Sequence, residues 1–393
     1  MKQAELLNRF DVHPQRGFLP EPDPLDQLPA PFDPWEQAAG NLPKLLPSGR
    51  IRSIIEGLPP FPIEQIQSER ELRRSMMILS YLGHAYVWGD PEPAESIPVV
   101  LADPWFKVAE KCSRPPILSY ASYALDNWKR LDPSGPIEIG NIALLQNFLG
   151  GLDEEWFILI HVDIEAKAAP ALTGIIHAQE ATGKEDLVEL ESFLHQIETA
   201  LSRMYATLER MPEACDPYIY YRRVRPYIHG WKNHPAIPHG VVYEGVEEYG
   251  DSPRQFRGET GAQSSIIPAL DAALSVSHED DPLKAYLIEM RQYMPPKHRE
   301  FIDFVEGRPK IRDYVLRTRR EHPTVVDIYN ACVRWVERFR ALHLEYAATY
   351  IFRQAQTGPS NPADVGTGGT PFMKYLKKHR DETSRHVVAH GRD

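Results

Sequence analysis

The sequence predicts an all-α protein, and three observations carry that expectation. Leu187, Leu190, Leu194, Ile197, Leu201, Met204 and Leu208 recur at three and four residues as one continuous apolar stripe. A second stripe, Val325, Ile328, Cys332, Trp335, Phe339, Leu342 and Tyr346, follows Thr324, which reads as an N-cap with Asp327 at N3. No alternating strand pattern of useful length is present, and no strand–helix–strand rhythm, so the C-terminal part should be a helical bundle.

Taken in order, residues 11–62 mix prolines with isolated Phe, Leu and Trp, which predicts an ordered coil pinned by apolar anchors. The chain holds 36 prolines, where one of this length would ordinarily hold roughly 20. Helical periodicity begins near Ile63 and ends where Gly89, Pro91 and Pro93 break it. SYASYALDNWKRLD, from Ser119, predicts a further short helix. The run Leu149-Gly150-Gly151-Leu152-Asp153 is the expected domain boundary, dividing a smaller, mainly helical N-terminal domain (1–149) from a larger helical one (150–393). The helix from Thr324 should end before Gly358-Pro359, and a last helix should start near Pro371. Between them the Gly-rich stretch 366–370, in a loop over 360–370, should be mobile.

Charge narrows the range of partners. With 44 Lys+Arg against 55 Asp+Glu, the net charge of −11 repels phosphate backbones and anionic lipid, so the expected partner is a small molecule. No run of 18 apolar residues exists, and the opening MKQAELLNRFDVHPQRG lacks the apolar core of a signal peptide. Three widely spaced cysteines (Cys112, Cys215 and Cys332) build neither a disulfide framework nor a zinc ribbon, which fits a reducing cytoplasm.

Several residues could carry chemistry. Phe157, His161 and Glu165 are four apart and share a helix face, placing an imidazole beside an aromatic ring. Composition alone favours a core histidine satisfied by a neighbouring carbonyl or by Glu165. His343 lies with Val336, Phe339, Ala347 and Tyr350 on an apolar face, as a structural hydrogen-bonder or the axial ligand of a haem iron; the pattern itself favours structure. No Cys-x-x-Cys-His is present, so any haem is noncovalent. Tyr218 to Arg225 combines aromatic surface with guanidinium, suited to an aromatic carboxylate or equally to a solvated basic face. His229, His234 and His239 are separated by helix breakers and do not suggest a metal site, and His386 and His390 read as tail residues.

Long blocks add a resemblance. HAYVWG (84–89), PPILSYASYALDNWKRLDP (115–133), the WFxLxHVxIE run, RPYIHGWKNHP (225–235), GVVYEGV (240–246), GETGAQSSI (258–266), RQYMPPKHREF (291–301), FRALHLEYAATYI (339–351) and GTGGTPFM (366–373) resemble, in order, the indoleamine 2,3-dioxygenase family. The resemblance implies a large helical haem domain capped by the smaller one, and insertion of both atoms of dioxygen across the indole C2–C3 bond of L-tryptophan to give N-formylkynurenine. It implies a haem b ligated through His343, with Arg340 and Asp271 in the network that holds the haem propionates. It places Phe157 and Tyr120 in the indole pocket, Tyr220 and Tyr221 where the family often has two phenylalanines, and Arg225 at the substrate carboxylate. Gly261 and Thr367 fall on the substrate side, Thr367 in a loop thought to close over substrate. His161 departs from the mammalian serine and is similar to the distal histidine of tryptophan 2,3-dioxygenase, so a role hydrogen-bonding the indole N–H is implied. The implied protein is cytoplasmic, a monomer or small homo-oligomer. Two rivals remain at this stage: a haem oxygenase of the same fold acting on another indole in secondary metabolism, and a haem-binding sensor with little turnover.

Overall fold

Proline organises residues 30–56 differently from the expected coil. Pro34, Pro43 and Pro47 each fall in the first turn of a short helix, where a missing N–H costs no hydrogen bond. The computed structural model, which describes residues 3–356, 366–370 and 372–390, shows α1 (Asp33–Gly40) followed by helical turns at Leu42–Leu45 and Leu46–Ser48 and a helix at Ile51–Glu56. Phe32, Trp35, Leu42, Ile51 and Ile55 are fully buried, and the Trp35 indole N–H donates to the Pro59 carbonyl at 3.1 Å. The expected coil with apolar anchors holds over residues 11–29, where Val12, Phe18, Leu19 and Leu28 are buried, and is corrected over 30–56 to short helices set on a core.

The next helix, α2 (Glu69–Trp88), starts at Ser68, whose Oγ accepts from the Glu71 N–H at 3.2 Å while Glu71 Oε2 accepts from Gln67 N–H at 2.6 Å. The residues from Ile63 form only a separate turn, Ile63–Gln65, before it. α3 (Val99–Lys111) packs on α2. The expected short helix beyond Ser119 is a wide π-type turn, Ala121–Leu125, followed by strand β2 (Trp128–Arg130), which pairs antiparallel with β3 (Ile142–Leu144). Asn127 is the physical reason: its side-chain N–H groups donate to the carbonyls of Tyr123 and Gln146, and its Oδ1 accepts from the Gln146 N–H, so the chain turns out of the helix and is tied to the strand pair. The other small sheet pairs β1 (Ser96–Ile97) parallel with β4 (Val242–Tyr243).

Gly150 and Gly151, both at positive φ, turn the chain into α4 (Leu152–Lys184), and the Glu154 carboxylate accepts from the N–H groups of Phe148, Leu149 and Gly150. α5 (Leu187–Glu209) runs along α4 with the predicted stripe inward. Shorter helices follow, α6 (Ile266–Leu274), α7 (Pro282–Arg291), α8 (Pro296–Glu306) and α9 (Ile311–Thr318). The long helix, α10 (Pro323–Ala347), begins with Pro323 inside its first turn and His322 at the cap. The expected Thr324 cap is therefore corrected, because proline is already preset for the first helical position. α11 (Phe372–Ser384) packs against α10.

Two apolar cores result. One gathers α1, α2 and α3 with Ile228, Trp231, Tyr243 and Met290; the other gathers α4, α5 and α10 with Leu7, Phe10, Val12 and Phe18. Phe157 on α4 packs against both. The residues after α11 are docked rather than a plain tail: Asn330 exchanges hydrogen bonds with Val388, His386 accepts from the Ser277 N–H, and His390 pairs with Asp327. Among the described residues no helix is long and apolar enough to cross a membrane.

A candidate active site around two histidines

α4 supplies one wall of a large cavity, of about 860 Å³, within the range of small-molecule and cofactor sites. His161 stands there, its ring 4.7 Å from that of Phe157 and 6.0 Å, edge to face, from that of Tyr120. The Phe157 ring lies 4.6 Å from Tyr220, which opens a second π-type turn, Tyr220–Val224. One turn back on α4, the Phe157 carbonyl lies 2.7 Å from His161 Nδ1. A carbonyl only accepts, so Nδ1 carries the hydrogen and the lone pair of the neutral ring is on Nε2. Burial holds the His161 pKa down, against the raising effect of that hydrogen bond, so the ring is neutral at physiological pH.

Beneath Tyr120 sits a buried carboxyl. Glu165 Oε1 accepts from the Tyr120 hydroxyl and from Ser264 Oγ, both at 2.9 Å, while burial pushes its pKa up to about 7. The Tyr120 N–H in turn donates to Gln263 Oε1 at 2.9 Å. This network ties the first core to α4 and fixes the ring that faces His161.

α10 supplies the other imidazole. His343 is accessible, yet protein surrounds it, because the surface it exposes is the surface of the cavity it lines. Burial first, and the neighbouring His161 second, lower its pKa to about 4. It makes no hydrogen bond to any described residue, which leaves a neutral imidazole with an available lone pair. One turn earlier Arg340 donates to Asp271 Oδ2 of α6 at 2.6 Å and to Thr383 of α11. His278 links Asp271 to Glu382. Burial alone raises the Asp271 carboxyl, but Arg340 and then His278 outweigh it and hold it below the usual range.

The sequence-predicted residues meet here to a large extent. Tyr120, Phe157, His161, Tyr220 and Gly261 line the cavity, and so do Asp271, Arg340, His343 and Thr367. Tyr221 and Arg225 are fully buried and stacked, guanidinium over ring at 5.4 Å, but unlike Tyr220 they are not among the cavity-lining residues. In the Gly-rich stretch, Thr367 Oγ donates to the Glu259 carbonyl, Arg257 to the Gly368 carbonyl and Asn233 to the Gly369 carbonyl. Residues 366–370 therefore lie docked on the cavity wall, while 360–365 of the expected mobile loop lie outside the described residues. Sequence reasoning did not single out Glu259, Ser264 or Met204, which also line the cavity. The acid between two glycines at 258–261 was the visible signal for Glu259, and Met204 was legible only as a core residue of its stripe.

The residues fit a haem. The cavity is apolar where Met204, Leu208, Ile266, Phe339 and Ala347 line it, and it groups Arg340 and the neutral His343 imidazole with buried polar atoms, Asp271 Oδ1, Ser275 Oγ and His379 Nε2, that lack partners among the described residues. Fold and site define a helical protein with one large cavity whose apolar walls, imidazoles and guanidinium suit a planar cofactor. The indoleamine 2,3-dioxygenase family model matches residues 6–386, and the chain belongs to that family of haem-dependent dioxygenases acting on indoles. It is 35% identical to indoleamine 2,3-dioxygenase 1 of Rattus norvegicus, over 98% of this chain and 96% of that protein. It is 32% identical to indoleamine 2,3-dioxygenase 2 of Homo sapiens (97% and 95%), and 32% identical to an indoleamine 2,3-dioxygenase of Aspergillus candidus (96% and 96%).

Proposed function

We propose that this dioxygenase acts on L-tryptophan and yields N-formylkynurenine, with a noncovalent haem b held by His343. The observation that carries the reading is the pair of neutral imidazoles, His161 and His343, in one aromatic-lined cavity. His343, on the α10 wall, makes no hydrogen bond to any described residue, which suits it to hold the iron, and Arg340, oriented by Asp271, would meet the acidic edge of the macrocycle. The haem supplies activation of dioxygen.

The remaining work belongs to the chain. Phe157, Tyr120 and Tyr220 hold the indole plane, and His161 Nε2 accepts the indole N–H, orienting C2 and C3. Thr367 and its neighbours exclude water. Arg225, buried outside the cavity lining, is assigned to the substrate carboxylate, reached when the wall around Tyr220 rearranges. The balance is complete without a reductant: the C2–C3 bond breaks, and each carbon gains one oxygen as a carbonyl. Residues 1–149 and 150–393 are proposed as the two domains, with Tyr120 contributed by the first.

The test is one reaction of ferrous haem-loaded protein with L-tryptophan under isotopically heavy dioxygen. Two heavy atoms in N-formylkynurenine are expected. A product carrying one heavy atom replaces the dioxygenase reading with a mono-oxygenase. Haem binding with tryptophan returned unchanged shifts the substrate to another indole, and no turnover of any indole leaves a haem sensor.

A further inference from the structure

Glu259 is a buried acid in the site without a partner among the described residues. Its residue is 4% exposed, it lines the cavity, and its carboxyl makes no hydrogen bond or ion pair with any described residue. Buried carboxyls are normally paired, and an isolated one is costly. Its position is nonetheless strictly held. Gly258 and Gly230 cross backbone against backbone, where a Cβ on Gly230 would lie 2.0 Å from the Gly258 nitrogen, and the Glu259 N–H donates to the Ile228 carbonyl at 3.1 Å. Its own carbonyl accepts from Thr367 Oγ1, which ties it to the Gly-rich stretch.

The surroundings say what the carboxyl lacks. Tyr120, Tyr123 and Tyr220 crowd it closely enough that its charge, after burial, helps to hold their hydroxyl protons, and none of them supplies a positive charge. Burial pushes the Glu259 pKa up to about 8, so in the empty cavity the group holds its proton, and a cation placed beside it favours the ionised form.

We propose that Glu259 is the ammonium-recognition residue of this site: its carboxylate pairs with the side-chain amine of an indole-3-alkylamine or of an indole amino acid. The proposal deepens the tryptophan reading and rests on it for the indole ring only. It makes Glu259 a specificity determinant, selecting amine-bearing indoles over indoles that carry no cation.

The experiment is equilibrium binding to ferric haem-loaded protein, followed by the shift of the haem absorption band. Four ligands are compared: L-tryptophan, tryptamine, indole-3-propionate and 3-methylindole. In Glu259→Gln, affinity for tryptophan and tryptamine is expected to fall about ten- to a hundredfold, with the other two within about twofold of the parent protein. Equal weakening of all four ligands, or of none, overturns the proposal, and a selective loss of 3-methylindole assigns the carboxyl to the ring N–H instead. Glu259→Asp keeps the charge and is expected to retain the preference for amines even if the amide variant fails to load haem; a lost preference there also overturns the proposal. If the parent protein binds tryptamine through Glu259 but does not turn over tryptophan, the tryptophan reading fails and this one stands.

Discussion

His161 on α4 and His343 on α10 face one cavity, and burial together with the neighbouring His161 lowers the pKa of His343 to about 4. Burial of both rings disfavours their charged forms, and both are neutral at physiological pH. Their division of labour follows from their partners: His161 is oriented by the Phe157 carbonyl, whereas His343 has no hydrogen-bond partner among the described residues.

Because Nδ1 of His161 is committed to Phe157, Nε2 is the acceptor left for the indole N–H in the proposed function. His161→Ala is expected to reduce the discrimination between tryptophan and 1-methyltryptophan about tenfold, measured as the ratio of kcat/KM values. An unchanged ratio removes His161 from that role.

The proposal that His343 would hold the haem iron predicts a specific loss. His343→Ala should retain its helical circular dichroism while haem affinity falls about tenfold or more, read by titration of the haem absorption band. Added imidazole should restore part of the band. Full haem binding by the variant would place the ligand elsewhere.

Arg340 and Asp271 join α10 to α6 as a mostly buried pair. Asp271→Asn leaves the guanidinium without its charge partner, and urea unfolding should show a loss of roughly 3 kcal/mol. Replacing both residues by leucine should recover much of that loss, since the cost lies in the uncompensated charge. A double variant less stable than Asp271→Asn contradicts this account.

His84 gives the protein an acid sensitivity of defined sign. Its Nε2 accepts from the Leu118 N–H at 3.0 Å and its Nδ1 donates to the Tyr227 carbonyl, an arrangement open only to the neutral ring. Burial lowers its pKa to about 3, against the raising effect of the Tyr227 hydrogen bond, from the ordinary 6.5. Below pH 6.5 the unfolded chain binds a proton that the folded chain refuses, so this contribution to stability is whole above 6.5 and falls by roughly 1.4 kcal/mol per pH unit towards 3. Glu154 and Glu165, raised to about 7 by burial, act in the opposite sense, costing stability as the pH rises from 4.5. The comparison of His84→Gln with the parent isolates the histidine: the variant should lose stability less steeply between pH 6.5 and 4. Parallel curves would refute the assignment.

Much of this was legible in the chain itself. The stripe from Leu187 to Leu208 and the apolar face of α10 specified their helices, because a 3.6-residue period repeated over five or six turns has few other readings. The spacing of Phe157, His161 and Glu165 placed three site residues on one face, for the same reason. Local signals failed where side chains act over distance. Asn127 turned an expected helix into a strand by binding the carbonyl of Gln146, and Pro43 and Pro47 read as coil until a core beneath them made short helices worthwhile. What only the tertiary structure decided was encounter. It brought His343 to His161, buried Arg225 outside the cavity lining, and buried Glu259 in the cavity with no cation paired to it among the described residues. Sequence periodicity fixes which face of an element is apolar, but which charges are paired or stranded inside depends on elements that meet only when the chain folds.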